Sequence, residues 1–358
     1  MALKIIHCAD IHFDSVMSGI KDPKKVNIRR EDLKKTFQNI IALASNADML
    51  LISGDLFDAK KVSKSTLEFL KEEFTKICNV KVFIVAGNHD PLTGTSVYKA
   101  FDFGKNVHVF GTQTECVELP DCDVYGASFK TANDERELLS GFSVNNPEKV
   151  NICLMHGNLS GSDYNPIKIT DIEKSGLDYL ALGHVHKSSE IKKAGATHYA
   201  YCGCPEGKGY DESGEKGVYK IELIKGNVLN SEFMPVATRM YIDDEVDVSG
   251  VHNYDEILQK IMKKYKGEKH IYRFTLTGEC EFSFDTAVLE EKIEAFLVTV
   301  RDNTKPCIDF EKASDEFSLK GLFLKYALKD KENLSDEEFN DALKAGLYYI
   351  EKEENNEN

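Results

Sequence analysis

Five short motifs rich in aspartate, asparagine and histidine occur in the first half of the chain, and each follows an apolar run. In sequence order they are Asp10-Ile11-His12, Gly54-Asp55-Leu56-Phe57-Asp58, Gly87-Asn88-His89-Asp90, Met155-His156-Gly157 and Gly183-His184-Val185-His186. Carboxylate, amide and imidazole side chains are the ligands that hold divalent metals such as manganese, iron and zinc. Five such motifs together predict a site for two metal ions.

The apolar runs before the motifs predict the strands that position them. These runs are residues 3–6, 49–52, 82–85, 150–154 and 179–182. In open α/β sheets, ligands bind in the crevice beyond the carboxyl ends of the strands. We therefore expect five strand ends to deliver the motifs to one edge.

A division of the ligands between two metals follows from the order of the motifs. Two metal ions about 3.5–4 Å apart need a bridging group, and Asp55 suits this role because outer ligands lie on either side of its motif. The predicted sets are Asp10, His12, Asp55 and His186 for one metal, and Asp55, Asn88, His156 and His184 for the other. Nitrogen and oxygen ligands without thiolate favour two Mn²⁺ ions, with Fe²⁺ or Zn²⁺ as alternatives for one or both. A metal-bridging hydroxide would then attack phosphorus in line.

His89 is not needed as a ligand, so we predict that it is the general acid that protonates the departing oxygen. Asp58 would orient His89 by accepting its other N–H. Taken singly, the motifs have simpler explanations, such as turn formation or capping for the aspartates and a core position for His156. Five strand-end motifs in this order rarely arise by chance, and their joint occurrence favours the metal site.

Strand-like and helix-like runs alternate from Leu3 to Ala237, which is the pattern of βαβ units. After His186 the chain turns to shorter strands without helices, at 197–202, 217–223 and 228–234. We predict that these strands form a second sheet. The fold class is then α/β, with a β-sandwich flanked by helices in four layers, α/β/β/α.

The length of 358 residues favours more than one domain, because single hydrophobic cores stop growing beyond about 250–300 residues. We place the larger domain at 1–237 and a small α/β domain at 238–312. Within the small domain we predict a helix at 255–265, a strand at 271–276 and a helix at 289–300.

Two amphipathic helices are predicted within 313–352, followed by a disordered polar tail at 353–358. The apolar face of the first helix comprises Leu319, Leu322, Phe323 and Tyr326, and that of the second comprises Phe339, Leu343, Leu347 and Ile350. Ser335 followed by Glu338 is a capping-box pattern that predicts where the second helix starts.

Composition limits the classes of partner. The net charge of −15 argues against a general polyanion binder, although only the surface beside the site must be positive in a nuclease. Local basic clusters make Arg29, Arg30 and Lys187 candidates for substrate binding. Nine scattered cysteines and the lack of an apolar run of ~20 residues favour a cytoplasmic protein with reduced thiols and no membrane span.

The five motifs resemble, in order and in residue type, those of the calcineurin-like metallophosphoesterases. The resemblance covers roughly the first two thirds of the chain and implies the metallophosphoesterase fold. Finer features are similar to the bacterial SbcD-type and YhaO-type DNA-repair exonucleases, including the stretch from Ala9 to Ser15 and the glycine-rich run from Gly203 to Gly217.

This resemblance implies Mn²⁺-dependent hydrolysis of phosphodiester bonds in DNA and a partner that is an SbcC-like or YhaN-like SMC-type ATPase. It also implies that the domain at 238–312 is a capping domain that helps to orient DNA. A homodimer is left open. Archaeal and eukaryotic relatives carry a histidine where this chain has Asp58, so the role proposed for that histidine does not carry over. Asp58 instead matches the phosphoprotein phosphatases, where it pairs with the histidine of Gly-Asn-His.

Three functions are compatible with these residues. The leading prediction is a DNA exonuclease or endonuclease that contacts mainly phosphates. An alternative is a phosphodiesterase or phosphatase that acts on small nucleotides with the same metals. A third, of a different class, is a scaffold that docks the ATPase through its C-terminal helices. We expect the helical face at 339–350 to be the better docking candidate, and the face at 319–326 to pack on its own domain.

Overall fold

Buried aliphatic strands form two six-stranded sheets in this computed structural model, which describes residues 2–17, 19–58, 62–280, 282–307 and 317–356. Contacts divide the chain into two units, Met1–Met240 and Tyr241–Asn358. Strands β1 to β12 of the first unit are Leu3–Cys8, Met49–Ser53, Lys81–Val85, Val107–Val109, Glu115–Glu118, Cys122–Ala127, Val150–His156, Tyr179–Gly183, Lys192–Ala194, Thr197–Tyr201, Gly217–Ile224 and Asn227–Pro235. Its helices α1 to α4 are Pro23–Ala44, Lys64–Lys76, Val97–Ala100 and Ile169–Lys174.

The first sheet has the strand order β12-β11-β1-β2-β3-β4, and the second has the order β5-β6-β7-β8-β10-β9. Strands β1 to β4 run parallel, as do β6, β7, β8 and β10. Every residue of β2 and β7 is buried, as expected for parallel strands that are covered on both faces.

Three apolar layers hold this unit together. One layer lies between the two sheets and includes Leu51 and Leu154. Another packs Phe37 of α1 and Phe74 of α2 against the first sheet. The third covers the outer face of the second sheet and includes Ile172 of α4. The predicted class, two sheets flanked by helices, is confirmed.

Two details of the predicted topology are wrong. The segments at 217–223 and 228–234 do not join the second sheet: β11 pairs antiparallel with β1 of the first sheet, and β12 pairs with β11. A tight turn with Gly226 at φ +77° closes this hairpin, and the register places Ile221 opposite Ile5. In addition, the five motifs come from both sheets: three follow β1, β2 and β3, whereas two follow β7 and β8.

The second unit contains a three-stranded parallel sheet of order β13-β14-β16 and a two-stranded pair, β15-β17. Strands β13 to β17 are Tyr241–Asp247, Ile271–Thr277, Glu279–Cys280, Leu297–Asp302 and Lys305–Pro306. Helices α5 to α8 are Tyr254–Met262, Thr286–Lys292, Leu319–Asp330 and Asp336–Asn356. The predicted helix at 255–265 and strand at 271–276 correspond to α5 and β14.

The predicted helix at 289–300 is wrong. Helix α6 stops at Lys292, and the apolar residues from Leu297 onward form β16, which pairs with β14. The β-branched residues Val298, Thr299 and Val300 favour a strand, and a short apolar run does not reveal its period by itself.

The two C-terminal helices exchange their expected roles. Leu319, Leu322 and Tyr326 of α7 are more than half exposed, so most of the face predicted to pack lies in solvent, and its fourth residue, Phe323, packs with α8. The face of α8 from Phe339 to Ile350 is buried, and Phe339, Leu343 and Leu347 pack with Leu324 of α7.

The predicted capping box starts α8, because Ser335 and Glu338 exchange backbone-to-side-chain hydrogen bonds. Helix α8 continues to Asn356, so residues 353–356 of the expected disordered tail are helical, as suits a run rich in glutamate. Residues 357–358 and the predicted boundary at 312/313 lie outside the described residues. None of the helices in the described part of the chain combines the length and the apolar character that a membrane span requires.

Candidate metal centre

The loops after β1 and β2 run side by side and form the floor of the site. The amide of Asp10 donates to the carbonyl of Gly54 at 3.0 Å, and the amide of His12 donates to the carbonyl of Asp55 at the same distance. Asp10, His12 and Asp55 have φ angles of +54°, +57° and +51°. Left-handed backbone at non-glycine residues is costly and clusters at functional sites, where the surrounding structure holds it in place.

The end of β8 meets this floor through glycine. A Cβ atom on Gly183 would lie 1.9 Å from the carbonyl oxygen of Ser53, so only glycine permits this approach of the second sheet to the first. His184, at φ +101°, donates its amide to the carboxylate of Asp10 at 3.0 Å. The motifs of the two sheets therefore converge.

Asp10, His12 and His186 form one group of ligand atoms, matching the outer ligands predicted for the first metal. Nε2 of His12 lies 3.1 Å from Nε2 of His186. Nδ1 of His186 lies 2.5 Å from the carboxylate of Glu212, which is an acceptor, so a neutral His186 carries its proton on Nδ1. The lone pair of its Nε2 then faces His12.

Asn88, His156 and His184 form the second group. Nδ1 of the fully buried His156 lies 3.0 Å from the carbonyl of Ser53, so a neutral His156 directs the lone pair of Nε2 toward Oδ1 of Asn88 at 2.8 Å. Nδ1 of His184 lies 3.1 Å from the same oxygen. Burial, followed by the neighbouring His156, lowers the pKa of His184 to about 4 and keeps its ring neutral.

Asp55 lies between the two groups. Its Oδ2 is 3.7 Å from Nε2 of His12 and 3.5 Å from Nε2 of His156. Burial alone would raise the pKa of Asp55, but the adjacent His156 and His12 outweigh burial and hold it below the usual value. The pKa of Asp10, by contrast, is raised by burial, and the negative charge of Asp55 raises it further.

These atoms fit divalent cations. In each group an imidazole lone pair points at another ligand atom, and a positive ion between them would relieve that contact and the burial of two carboxylates. Imidazole, carboxylate and amide ligands suit Mn²⁺, Fe²⁺ or Zn²⁺. All seven predicted ligands are thus brought together in two groups that share Asp55.

His89 and Asp58 lie beside the first group. Nδ1 of His89 is 2.5 Å from Oδ1 of Asp58, and this hydrogen bond raises the pKa of His89. Burial would raise the pKa of Asp58, but its contacts with His12 and then His89 outweigh burial and lower it. The side chain of His89 is 45% exposed, whereas those of His12 and His156 are inaccessible. His89 also lies within coordinating reach of His12 and Asp55, so its position allows contact with a ligand as well as with substrate.

Three contributors were missed by the sequence reasoning. Glu212 and the Ser53 carbonyl set the proton positions of His186 and His156, as groups that hydrogen-bond to metal ligands commonly do. The buried Asp90 carboxylate accepts from the amides of Gly87 and Phe57 and thereby ties two motif loops together. Glu212 belongs to the glycine-rich run from Gly203 to Gly217. The resemblance of that run to the YhaO-type proteins was the only feature of the sequence that could have pointed to Glu212.

The predicted substrate-binding residues divide into two kinds. Arg29 is inaccessible: its guanidinium contacts Asp32 and Glu206, each at 2.7 Å, so it is not available to a substrate, and this prediction is wrong. Its neighbour Arg30 and also Lys187 are exposed, and neither makes a hydrogen bond or ion pair with the site histidines within the described part of the chain.

Comparison with protein families identifies the group to which this site belongs. A model described as calcineurin-like phosphoesterase matches residues 3–188, which is more than half of the chain and includes every predicted ligand. The chain belongs to the calcineurin-like phosphoesterase family. The resemblance drawn from the motifs is thus confirmed at the level of the family.

The chain is also similar to three named proteins. It is 28% identical to the uncharacterized metallophosphoesterase YhaO of Bacillus subtilis, over 82% of this chain and 77% of that protein. It is 24% identical to the SbcD component of the nuclease SbcCD of Staphylococcus epidermidis, over 77% of this chain and 79% of that protein. It is 26% identical to the DNA double-strand break repair protein Mre11 of Methanocaldococcus jannaschii, over 92% of this chain and 90% of that protein.

Proposed function

We propose that this protein is a two-metal phosphodiesterase that cleaves DNA, with Mn²⁺ as its metal. The observation that carries the proposal is the position of Asp55 between two groups of ligand atoms and next to the His89–Asp58 pair. A carboxylate shared by two metals, with a separate proton donor beside it, suits in-line displacement at phosphorus. The family membership supports phosphoester hydrolysis.

The residues would divide the reaction among themselves. Asp10, His12 and His186 would hold one cation, Asn88, His156 and His184 would hold the other, and Asp55 is placed to serve both. When bound, the cations activate a water molecule and neutralise charge on the phosphoryl oxygens.

His89 supplies the proton. Because Asp58 accepts from Nδ1, Nε2 is the ring atom left to protonate the departing oxygen, and the hydrogen bond to Asp58 raises the pKa of His89, which favours the protonated ring. Asp58 fixes the ring and its tautomer.

Two features favour DNA over a small nucleotide as the substrate. Two of the similar proteins are named as part of a nuclease and as a DNA double-strand break repair protein. The second unit, Tyr241–Asn358, is a separate folded part that hydrolysis of a small substrate does not require. Contacts to phosphates predict low sequence preference and binding that weakens as salt increases.

Cleavage of end-labelled single-stranded and double-stranded DNA with Mn²⁺, compared with the Asp55→Asn variant, tests the proposal. We expect fragments with the wild-type protein and none with the variant, and the fragment pattern shows the polarity. Hydrolysis of bis-p-nitrophenyl phosphate without cleavage of DNA would overturn the choice of substrate in favour of a small phosphodiester. Failure to hydrolyse either one with Mn²⁺, Fe²⁺ or Zn²⁺ would overturn the whole proposal.

The exposed face of α7 suits an SMC-type ATPase as the partner. Leu319, Leu322 and Tyr326 are 60%, 52% and 60% exposed, and apolar side chains at this spacing form helix-in-groove anchors. The buried face of α8 is not available for this purpose. We expect Leu322→Asp to abolish co-purification with a co-expressed coiled-coil ATPase and to leave hydrolysis of bis-p-nitrophenyl phosphate unchanged; retained binding would contradict docking through this face.

A further inference from the structure

The 203–217 segment, which runs from the end of β10 to β11, wraps around His186. Besides the contact of Glu212 with the imidazole, the ammonium of Lys216 donates to the His186 carbonyl at 3.1 Å, and the amide of Cys204 donates to the same oxygen at 3.2 Å. Both the ring and the backbone of His186 are therefore held by this segment. The part of the segment around Glu212 therefore lies next to the first group of ligands.

A buried network anchors the same segment to the rest of the unit. It comprises Arg29, Asp32, Thr36, Glu206, Thr238 and Arg239, and we call it the Arg29 network. Glu206 is 1% exposed and accepts from Arg29 at 2.7 Å and from Thr36 at 2.6 Å. Arg29 also donates to the carbonyl of Gly207 at 2.6 Å, which fixes the backbone directly before Lys208.

Lys208 is held on both sides, yet its ammonium forms no ion pair with a carboxylate of the described residues. Its backbone amide donates to Oε2 of Glu212 at 2.6 Å. Together with the bond from Arg29 to the Gly207 carbonyl, this fixes the backbone at residues 207 and 208. The side chain is half-buried, and among the described residues no carboxylate lies within ion-pair distance of its ammonium. Glu206 is engaged by Arg29. At Glu212 burial raises the pKa, but the hydrogen bond to His186 and the charge of Lys208 lower it to about 2, so this carboxylate is shared between the two.

The charge of Lys208 acts on histidines from three different loops. At His12, burial lowers the pKa and Lys208 adds to that effect. At His89 it opposes the rise in pKa that Asp58 causes. At His186, burial and Lys208 lower the pKa, but Glu212 and Asp10 together outweigh them. Because the amide of Lys208 is bonded to Glu212, which in turn contacts His186, Lys208 lies beside the first group of ligands.

We propose that Lys208 is a substrate-binding residue whose ammonium donates to a non-bridging oxygen of the phosphate. An unpaired, half-buried ammonium on a pinned backbone is suited to a phosphate, because charge-assisted hydrogen bonds to phosphate oxygens are strong and lysine provides a compact point charge. The role of Lys208 rests on the proposed function, since a phosphate must occupy the site.

Titration of inorganic phosphate into the Mn²⁺-loaded protein, followed by calorimetry, tests this role without turnover. The variants are Lys208→Met, which removes the charge, and Lys208→Arg, which keeps it. Lys81→Met is the matched control, because Lys81 is an exposed lysine at the opposite end of β3 from Asn88. The same proteins are assayed for KM and kcat with bis-p-nitrophenyl phosphate.

We expect Lys208→Met to weaken phosphate binding and raise KM about tenfold or more, the order expected for a hydrogen bond to a charged group, with a smaller change in kcat. Lys208→Arg should retain most of the affinity, and Lys81→Met should match the wild type. Unchanged affinity in Lys208→Met would overturn the proposal. So would equal losses of bound Mn²⁺ in Lys208→Met and Lys208→Arg, because these would show a structural role.

Failure of the proposed function gives a different result. If the wild type binds phosphate but hydrolyses neither DNA nor bis-p-nitrophenyl phosphate, the phosphodiesterase proposal fails and the titration alone decides the role of Lys208. If the wild type binds no phosphate, the role of Lys208 is overturned.

Discussion

The metal centre and the Arg29 network are both buried clusters of polar side chains in the first unit, yet they are completed in different ways. In the network, opposite charges meet: the guanidinium of Arg29 contacts the carboxylates of Asp32 and Glu206. In the metal centre, ligand atoms meet other ligand atoms, as with the 3.1 Å approach of His12 to His186.

This difference shows how each cluster offsets the cost of burial. Polar groups removed from water need a partner, and the network finds its partners within the chain. On the proposed function, the metal centre would instead be completed by cations from solution. The network should therefore stabilise the fold under all conditions, whereas the metal centre should stabilise it only when it is loaded. Substitutions in each cluster, with and without metal, separate these two behaviours.

Arg29→Met gives the largest expected loss of stability. Removing one member of a buried ion pair leaves carboxylates without a counter-charge and costs about 3–5 kcal/mol. We expect this decrease in the free energy of unfolding, measured with urea, to be the same with and without Mn²⁺. Arg30→Met, at the exposed neighbour, should change it by less than about 0.5 kcal/mol. A loss that Mn²⁺ restores would show that the network serves the metal centre.

His89→Asn tests whether the residue beside the metal centre is a ligand or an acid. We expect turnover of bis-p-nitrophenyl phosphate to fall by about 10²-fold or more, the usual contribution of a general acid, with the bound metal unchanged. Metal content measured by atomic absorption together with kcat distinguishes the two roles. Joint loss of metal and activity would make His89 a ligand.

Metal removal tests the other half of the comparison. At a Mn²⁺ concentration a hundred times Kd, binding to the native state adds about 2.7 kcal/mol to the free energy of unfolding. We expect urea unfolding with and without chelator to show this difference in the wild type and a much smaller one in Asp55→Asn. The same gain in both proteins would show that the added stability does not come from this centre.

Glu212→Gln gives the smallest effect of the four. Because the Glu212 carboxylate orients His186 and increases its basicity, its loss should weaken Mn²⁺ binding by about 10–100-fold. Calorimetric titration measures this change, and Glu215→Gln, an exposed change in the same segment, is the control. Equal affinities in the two variants would remove Glu212 from the support of the centre.

The types and order of the site residues could be read from the sequence, because each motif directly follows a strand and the strand ends carry loops to the site. The motifs, the alternation of strands and helices, and the capping box at Ser335 are local patterns. The family followed from them, and so did the prediction that Asp55 stands between two sets of ligands. Glu212 and Lys208 had no such pattern, since they lie outside the strand-end motifs.

Local pattern is not enough where two similar residues meet different surroundings. Arg29 and Arg30 are equivalent in the sequence, but the phase of α1 buries the first against Glu206, which is 177 residues away, and exposes the second. Likewise, the apolar faces of α7 and α8 look alike, and only packing determines which one is covered.

The sequence by itself determined the family and the types and order of the candidate ligands, since these are set by residue type and by strand ends. The tertiary structure decided which sheet β11 and β12 join, which arginine is buried, and that the 203–217 segment reaches His186 with Glu212 and Lys208. These are contacts between residues far apart in the chain. They depend on the packing of elements against each other, which residue periodicity does not encode.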